Sequence, residues 1–400
     1  MALLSVAEAL ARVTEGLTPL DIERVPLGAA RGRVLAEDLA AGLTQPPFDA
    51  SAMDGYAVRA DDVVALPMTL RLIGESRAGS GFTGKIGQGE TVRIFTGAPV
   101  PAGADTIVIQ ENAEAVAGVV MVEEAEPRRH IRPRGQDFTQ GEVLLRAGTK
   151  LGPRELLLAA AMNHAELPVR RKPKVAILAT GDEVVPPGSE LAADQIVSSV
   201  PAGLAALIEA KGGEPMNLGI AKDTQESLIT LARTGSAADI LVTIGGASVG
   251  ERDLISAALQ SDGMELEFWK IAMRPGKPLL FGRLGHQRVL GLPGNPVSAL
   301  VCALVFLVPM LHGLLGLGEN VRERAEAVLG RDLEANGPRE HYMRAISTWS
   351  PGGERFVAPL PFQDSSLVKD FANADCLIVR DPGAPALGRG ASVTIVPLDD

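Results

Sequence analysis

Ile240-Leu241-Val242-Thr243-Ile244-Gly245-Gly246-Ala247-Ser248-Val249-Gly250-Glu251-Arg252-Asp253 is the stretch on which the fold turns. Its first five residues are apolar or β-branched, the composition of a strand buried on both faces. Glycines stop it, and a helical pattern follows from Asp253 to position 260. Strand, glycine turn and helix, in that order, form the repeating unit of a doubly wound α/β domain. The unit recurs on either side, with strands predicted at 175–179, 214–220, 266–271, 279–282 and 288–292 and helices at 201–211, 225–233 and 297–311. The segment from Lys174 to about Gly318 therefore reads as a parallel sheet covered on both faces, with ligands expected beyond the carboxyl ends of its strands.

Away from this segment the pattern changes. Ser5 and Glu8 spell a capping box for a helix bearing Val6, Leu10, Val13 and Leu17, so the N-terminus reads as folded helix rather than signal peptide. A short mixed stretch follows, and Gln45-Pro46-Pro47-Phe48 breaks any regular element. From there to about Asp137, runs rich in Val, Ile and Thr at 68–73, 90–95, 106–110 and 119–123 alternate with Gly, Pro and Asp clusters, which predicts a β-rich domain. Pro153 suits the first turn of an Ala/Leu helix reaching about Asn163. From Ala325 onward, short β runs at 342–347, 356–358, 376–379 and 392–397 predict a small barrel or sandwich. The fold class is α/β multidomain: a doubly wound parallel sheet with β-rich domains and a C-terminal small β barrel.

Bulk properties exclude some classes of function. At 400 residues the chain exceeds what one core organises, and a net charge of −11 argues against a general nucleic-acid or anionic-membrane binder, which needs a broad positive field. An anionic ligand must meet a local basic cluster. Arg128, Arg129, His130, Arg132 and Arg134 make one, for which a solvated loop is the simpler reading from charge alone. Cys302 and Cys376 have no metal-ligand spacing and suggest no disulfide framework, so a reducing, cytoplasmic compartment is expected. The apolar run 297–311 falls short of the roughly 20 residues a bilayer needs and reads as a buried helix.

The strand-end loops are where chemistry is expected. Thr180-Gly181-Asp182-Glu183 brings a hydroxyl and two carboxylates to one of them, although Gly181-Asp182 makes a turn by itself. At Gly245, Gly246 and Gly250 the backbone can approach a phosphate, while the N–H groups of the new helix favour an anion. Asp253 stands where Mg²⁺ would be held, and equally where a carboxylate complements the helix dipole. Lys270, Arg274 and Lys277 set three cations in the Pro/Gly-stiffened loop that ends at Pro278, which reads as an oxyanion site. Gly291-Leu292-Pro293-Gly294-Asn295-Pro296 ends a strand and starts the apolar helix, with Asn295 at the N-cap. Asp223 and Glu226 spell a capping box, and Met53-Asp54-Gly55-Tyr56 and Thr96-Gly97-Ala98-Pro99 read as turns.

Taken in order, these strings resemble the MoeA and gephyrin E-domain family. They are Pro47-Phe48-Asp49-x-Ser51-Ala52-Met53-Asp54-Gly55-Tyr56-Ala57, Thr96-Gly97-Ala98-Pro99-Val100-Pro101, Arg134-Gly135-x-Asp137, Thr180-Gly181-Asp182-Glu183, Gly245-Gly246-x-Ser248-Val249-Gly250, Pro275-Gly276-Lys277-Pro278 and Gly291-Leu292-Pro293-Gly294-Asn295-Pro296-Val297-Ser298. The resemblance covers nearly the whole chain. It implies an elongated homodimer of four-domain protomers: 1–20 with 173–317 as the nucleotide- and pterin-binding α/β domain, 21–44 with 138–172 as a mixed linker domain, 45–137 as a β-rich domain and 318–400 as the barrel. It implies a Mg²⁺-dependent transferase of molybdenum cofactor biosynthesis, which inserts molybdate into adenylylated molybdopterin with release of AMP.

By position, the resemblance assigns catalytic roles to Asp54, Thr96, Asp137, Glu183, Asp223, Asp253, Lys270, Arg274 and Lys277. It assigns nucleotide and pterin contacts to Thr180, Gly181, Asp182, Gly245, Gly246, Ser248, Gly250, Pro293 and Gly294. Molybdate contacts fall on Arg274, Lys277, Pro278, Ser298, Arg344 and Ser365, and metal contacts on Glu183 and Asp253. Asp54, Thr96 and Asp137 would face the α/β domain of the partner subunit. A molybdopterin adenylyltransferase and molybdoenzyme chaperones are the further partners it suggests. Two departures stand out: many bacterial members have a polar residue where this chain has Val200, and many relatives have Lys where it has Arg274. The resemblance leaves two other readings open, a relative catalysing the preceding adenylyl transfer and a non-catalytic scaffold.

Overall fold

The strand Ile240–Ile244, buried at all five positions, lies inside a six-stranded sheet. From edge to edge the order is Glu214–Ala221, Lys174–Thr180, Ile240–Ile244, Gln287–Leu292, Leu280–Leu284 and Glu265–Trp269. A computed structural model describes residues 3–245, 254–317 and 324–398. The first four strands are parallel, but Leu280–Leu284 runs antiparallel to both neighbours, so the all-parallel expectation fails at one strand. The reason is chain length. Only Gly285 and His286 separate Leu284 from its partner Gln287, whereas a parallel crossover needs a dozen or more residues.

Alternation along the strands builds the two cores. Val175, Ile177, Val242 and Leu290 face the helix Val6–Thr14, the helix Val200–Ala210 and the long apolar helix. Ala176, Leu178, Leu241 and Val289 face the helices Gln225–Thr234 and Leu254–Ser261. Ser5 and Glu8 form the expected capping box. The apolar helix runs longer than expected, over 20 residues from Pro296 to Leu315 with a π-helical stretch at Ala303–Leu307. By length and composition it could cross a membrane, yet 72% of its most apolar part is buried inside the protein. Val200 belongs to this core, where an apolar side chain suits the packing.

The chain leaves and re-enters the α/β domain through paired strands, Ile22–Pro26 with Glu166–Arg170 and Leu39–Ala40 with Val143–Leu145. These enclose Leu35, Phe138, Leu151 and Leu167. Beyond them lies a second six-stranded sheet, ordered Thr106–Ile109, Gly55–Val58, Glu90–Ile94, Met68–Ser76, Val119–Val122 and Ala113–Val116. Gly55 and Tyr56 belong to a strand here, which corrects the turn reading of Met53-Asp54-Gly55-Tyr56. At the C-terminus, Glu340–Trp349 pairs with both Arg355–Pro359 and Cys376–Arg380, and the ring closes through Ala325–Leu329 and Ser392–Pro397. A closed barrel leaves no free edge and settles the barrel-or-sandwich alternative. Met273–Arg274, from the basic loop, adds a short parallel strand beside Glu340–Trp349 and ties the barrel to the α/β domain.

An ion pair anchors the start of the central strand. Arg171 donates from Nη1 and Nη2 to the Asp239 carboxylate at 2.8 and 2.7 Å, and the Lys174 N–H donates to it at 2.8 Å. Burial pushes the Asp239 carboxyl up, but these donors outweigh burial and hold its pKa below the usual carboxylate value. A depressed folded-state pKa stabilises above the unfolded value of about 3.9, and the gain is lost as pH falls through the folded pKa. Asp239→Asn is expected to cost about 2 kcal/mol near neutrality, where the Arg171 guanidinium loses its counter-charge. Urea unfolding of parent and variant at neutral and acid pH checks this. A gap that does not shrink in acid contradicts the assignment.

Candidate active site

The strand Lys174–Thr180 delivers Thr180-Gly181-Asp182-Glu183 to the carboxyl end of the sheet. There the Thr180 hydroxyl donates to the Ile244 carbonyl at 3.2 Å, joining two strand-end loops. Gly181 has φ +137°, and a Cβ on it would stand 2.7 Å from Glu183 Oε2 and from Val184 Cγ2, so only glycine lets Glu183 fold back there. Gly245 lies against Thr180, and Gly294 neighbours Gly245, an added Cβ standing in ordinary contact 3.5 Å from its Cα. Gly245 also donates its N–H to Leu292, immediately before the buried Pro293. Thus Thr180, Gly181, Gly245, Pro293 and Gly294 are brought together at one end of the sheet. Gly246, Ser248, Gly250 and Asp253 lie outside the described residues.

Asp223 joins this corner from the neighbouring strand end. The helix after it is capped by Thr224, whose hydroxyl accepts the Ser227 N–H at 3.3 Å, so the expected Asp223/Glu226 capping box is corrected by one position. Asp223 instead donates its backbone N–H to Asp182 Oδ1 at 3.2 Å. Partial burial raises the Asp223 pKa first, and the Asp182 and Glu183 charges raise it further. Beside these carboxylates opens a cavity of about 620 Å³, lined by Gly181, Asp182, Val184, Ser198, Asn217 and Lys222 among others.

The basic loop occupies the other side. Lys270 has φ +84° and holds its ammonium 3.8 Å from the centre of the Trp269 ring, a cation–π contact. Lys270 N–H donates to Leu279 and Ile271 N–H to Lys277, both at 3.0 Å, so the loop is closed on itself. Gly276 has φ +105°, and a Cβ there would be 2.3 Å from Cys302 Sγ; this close approach presses the Lys277-Pro278 turn onto the helix that carries Ser298. Arg274 pairs in register with His341, which sets it on a different face of the barrel strand from Arg344.

The barrel completes this side. Ser365 accepts the Val297 N–H through its carbonyl at 3.2 Å and the Asn295 side-chain N–H through its hydroxyl at 3.1 Å. Asn295 does sit at the N-cap, but its side chain makes no cap bond and reaches the barrel instead. Arg344 is only 2% exposed and donates to the carbonyls of Leu367 and Phe362 at 3.4 and 3.2 Å. Burial lowers its pKa, against the pull of Asp370 and Asp364. Gln363, which sequence reasoning missed, clamps the Arg344 backbone with bonds of 3.0 and 2.9 Å. Nothing in the local sequence signals that clamp, because the fold alone brings positions 344 and 363 together.

Asp54, Thr96 and Asp137 gather in the second β domain. Asp54 Oδ1 accepts the Thr96 N–H at 2.7 Å and the Thr96 hydroxyl at 2.8 Å. Those bonds, with the Arg93 charge, hold the Asp54 carboxyl below its usual range. Asp137 and Gly97 line a cavity of about 500 Å³ with Gln45, Pro47, Ala50 and Arg132. Within one chain this cavity and the α/β cavity share no residue. Arg128 and Arg129 are exposed and pair with Asp105 and Glu126 at 4.0 and 3.0 Å, the behaviour of a solvated loop.

The chain matches three family profiles in order: the MoeA N-terminal region (domain I and II) over residues 4–163, a probable molybdopterin binding domain over residues 176–313 and the MoeA C-terminal region (domain IV) over residues 326–398. It is 35% identical over 402 residues to the molybdopterin molybdenumtransferase of Haemophilus influenzae, covering 99% of each chain. Against the molybdopterin molybdenumtransferase 2 of Mycobacterium tuberculosis it is 38% identical over 333 residues, covering 80% of this chain and 82% of the relative. Among solved structures, the molybdopterin biosynthesis moea protein from Pyrococcus horikosii matches with a TM-score of 0.86 and 31% identity, over 100% of both chains.

Proposed function

The chain belongs to the MoeA family and is a transferase of molybdenum cofactor biosynthesis, and from that premise we propose that it inserts molybdate into adenylylated molybdopterin and releases AMP. One observation carries this reading: the stretch 293–298 touches both halves of the site. Gly294 lies against Gly245 at the cleft, and Asn295 and Val297 bond to Ser365 of the barrel. A nucleotide-bearing substrate at the strand ends and an oxyanion among Lys277, Ser298, Arg344 and Ser365 would therefore be neighbours. Molybdate, a tetrahedral dianion, suits these donors, because cationic and hydroxyl groups give it charge-assisted hydrogen bonds and the helix start adds N–H groups.

Mg²⁺ is the metal this reading calls for. Asp182, Glu183 and Asp223 lie close together beside the cavity, and partial burial followed by the charges of the two acidic neighbours raises the Asp223 pKa, an arrangement that favours a bound cation. Among the described residues no three side chains form a coordination sphere by themselves. Mg²⁺ commonly takes one or two carboxylates and completes its shell with phosphate oxygens and water, so Glu183 and Asp182 or Asp223 fit that mode. Bound there, it would neutralise phosphate charge as AMP leaves. The protein's own groups orient the phosphates and exclude water. We further propose a cytoplasmic homodimer in which Asp54, Thr96 and Asp137 complete the partner's cleft, a reading supported by the separation of the two cavities within one chain.

The test is incubation of the protein with adenylylated molybdopterin, molybdate and Mg²⁺. AMP release together with cofactor able to activate an apo-molybdoenzyme is the expected result. Chelation with EDTA is expected to reduce AMP release to background, and added Mg²⁺ to restore it. ATP consumption with unadenylylated pterin would instead show the preceding adenylyl transfer, and neither product would leave a scaffold.

A further inference from the structure

His341 pairs in register with Arg380 on one side and with Arg274 on the other. Residues paired across strands point to the same face of a sheet, so Arg274, His341 and Arg380 form one row. Their face is the barrel interior, because Met343, Ala345, Cys376 and Ile378, which alternate with the row, pack in the barrel core. Tyr342, Leu377 and Val379 pack against the α/β domain instead, and Arg344 shares their face. The buried members of the row therefore lie on the opposite face from Arg344, and Arg274 is the residue that the row shares with the molybdate contacts assigned by the resemblance.

Charge in this row is not balanced. Arg380 is 3% exposed, and its Nη2 donates to the carbonyls of Pro385 and Ala384, the latter at 3.5 Å. Its Nε and Nη1 are buried without a hydrogen-bond partner among the described residues. Arg339 reaches in from the strand's entry, donating to the Met273 carbonyl at 3.5 Å. Burial, followed by the charges of Arg274, Arg339, Arg344 and Arg380, pulls His341 down to about 4, so the imidazole is neutral near pH 7. The carboxylate acting on Arg380 is its chain neighbour Asp381. A buried guanidinium with two of its three nitrogens lacking an acceptor, as at Arg380, is costly, and an anion with several oxygens would supply the missing acceptors.

We propose that this row is a second anion site, binding a small tetrahedral oxyanion with Arg380 as the buried donor and Arg274 as the exposed one at its mouth. Free inorganic ions and the phosphate group of a nucleotide offer the same chemistry. The test is NMR of the His341 ring in the full-length protein, assigned by His341→Gln, during titration with sulfate, molybdate and AMP. Anion binding is expected to give a saturable shift and to move the His341 pKa upward from about 4, since the anion cancels the surrounding positive field. Response to the inorganic ions alone identifies a free oxyanion, and response to AMP as well identifies a phosphate group; either supports the site.

Arg380→Gln is expected to weaken binding roughly tenfold, and Arg380→Lys, which keeps the charge, serves if the first variant does not fold. Arg344→Met, which alters the other pocket, should leave the His341 response in place. No saturable response to any of the three anions overturns the proposal. So does unchanged affinity in both Arg380 variants, or loss of the response in Arg344→Met.

Discussion

Asp223→Asn and Glu183→Gln are expected to lower AMP release by roughly 100-fold or more while leaving the thermal midpoint unchanged or raised, the scale seen when one preorganised electrostatic group is removed. The expectation rests on a mismatch between electrostatics and stability. Asp182, which lines the cavity, lies close to Glu183 and Asp223, and the Asp223 pKa is raised, first by partial burial and then by its two acidic neighbours. A carboxyl whose folded-state pKa lies above its unfolded value stabilises only in its protonated form. That advantage is present below the unfolded pKa and fades as pH rises through the folded one. At neutral pH the ionised Asp223 is thus a burden on folding, and Asn, which keeps the shape and removes the charge, relieves it.

A residue in a cleft whose charge weakens the fold is a candidate for work on a ligand. Three outcomes are distinct. Loss of activity with an equal or higher midpoint supports the role given to these carboxylates. Full activity removes it. Loss of activity with a midpoint several degrees lower makes the corner structural. A pH series of melting curves adds a second check, because the stability gain of Asp223→Asn should grow as pH rises from the unfolded to the folded pKa and level off above it.

How far the sequence could be read depended on whether a feature was local. The strands and helices of the α/β domain, the Ser5 and Glu8 capping box and the Pro153 helix start are set by residues within a few positions of each other, and they emerge where the pattern places them. The reversed strand Leu280–Leu284 was equally legible, since two residues cannot make a crossover, but strand periodicity does not encode direction. Asp223 misled because Asp-x-x-Glu and Thr-x-x-Ser overlap by one residue, and only the backbone shows that Thr224 is the cap. Asn295 misled similarly: its N-cap position is local, whereas its bond to Ser365 depends on where the barrel docks. The row of Arg274, His341 and Arg380 was beyond reach, because it exists only through strand register between segments far apart in the chain.

Gly55→Ala is expected to destabilise the second β domain by roughly 4 kcal/mol or more, at the extreme end of single-substitution effects. The motif Met53-Asp54-Gly55-Tyr56 looks like a turn in which glycine supplies an unusual φ. Its real constraint is different. Gly55 starts a strand held between Thr106–Ile109 and Glu90–Ile94, paired with Ile109 on one side and Ile94 on the other. A Cβ on it would lie 1.9 Å from the Val108 carbonyl oxygen, 2.9 Å from the Val108 carbonyl carbon and 3.0 Å from the Ile109 Cα. All three atoms are backbone, so no rotamer change relieves the clash, and the two strands must separate. Separation would break the ladder from Gly55 to Val58 and shift Asp54, whose carboxylate is fixed by Thr96 on the loop after the neighbouring strand. Activity should therefore fall with stability, unlike the pattern expected for Asp223→Asn. Because a multidomain chain need not unfold in one step, the appropriate measurement is amide hydrogen exchange at residues 55–58 and 106–109. Gly28→Ala is the control, since its Cβ would meet nothing within 4 Å, and it should stay within about 0.5 kcal/mol of the parent. If Gly55→Ala keeps parental exchange protection in both strands, the close approach of backbones is not what this glycine is for.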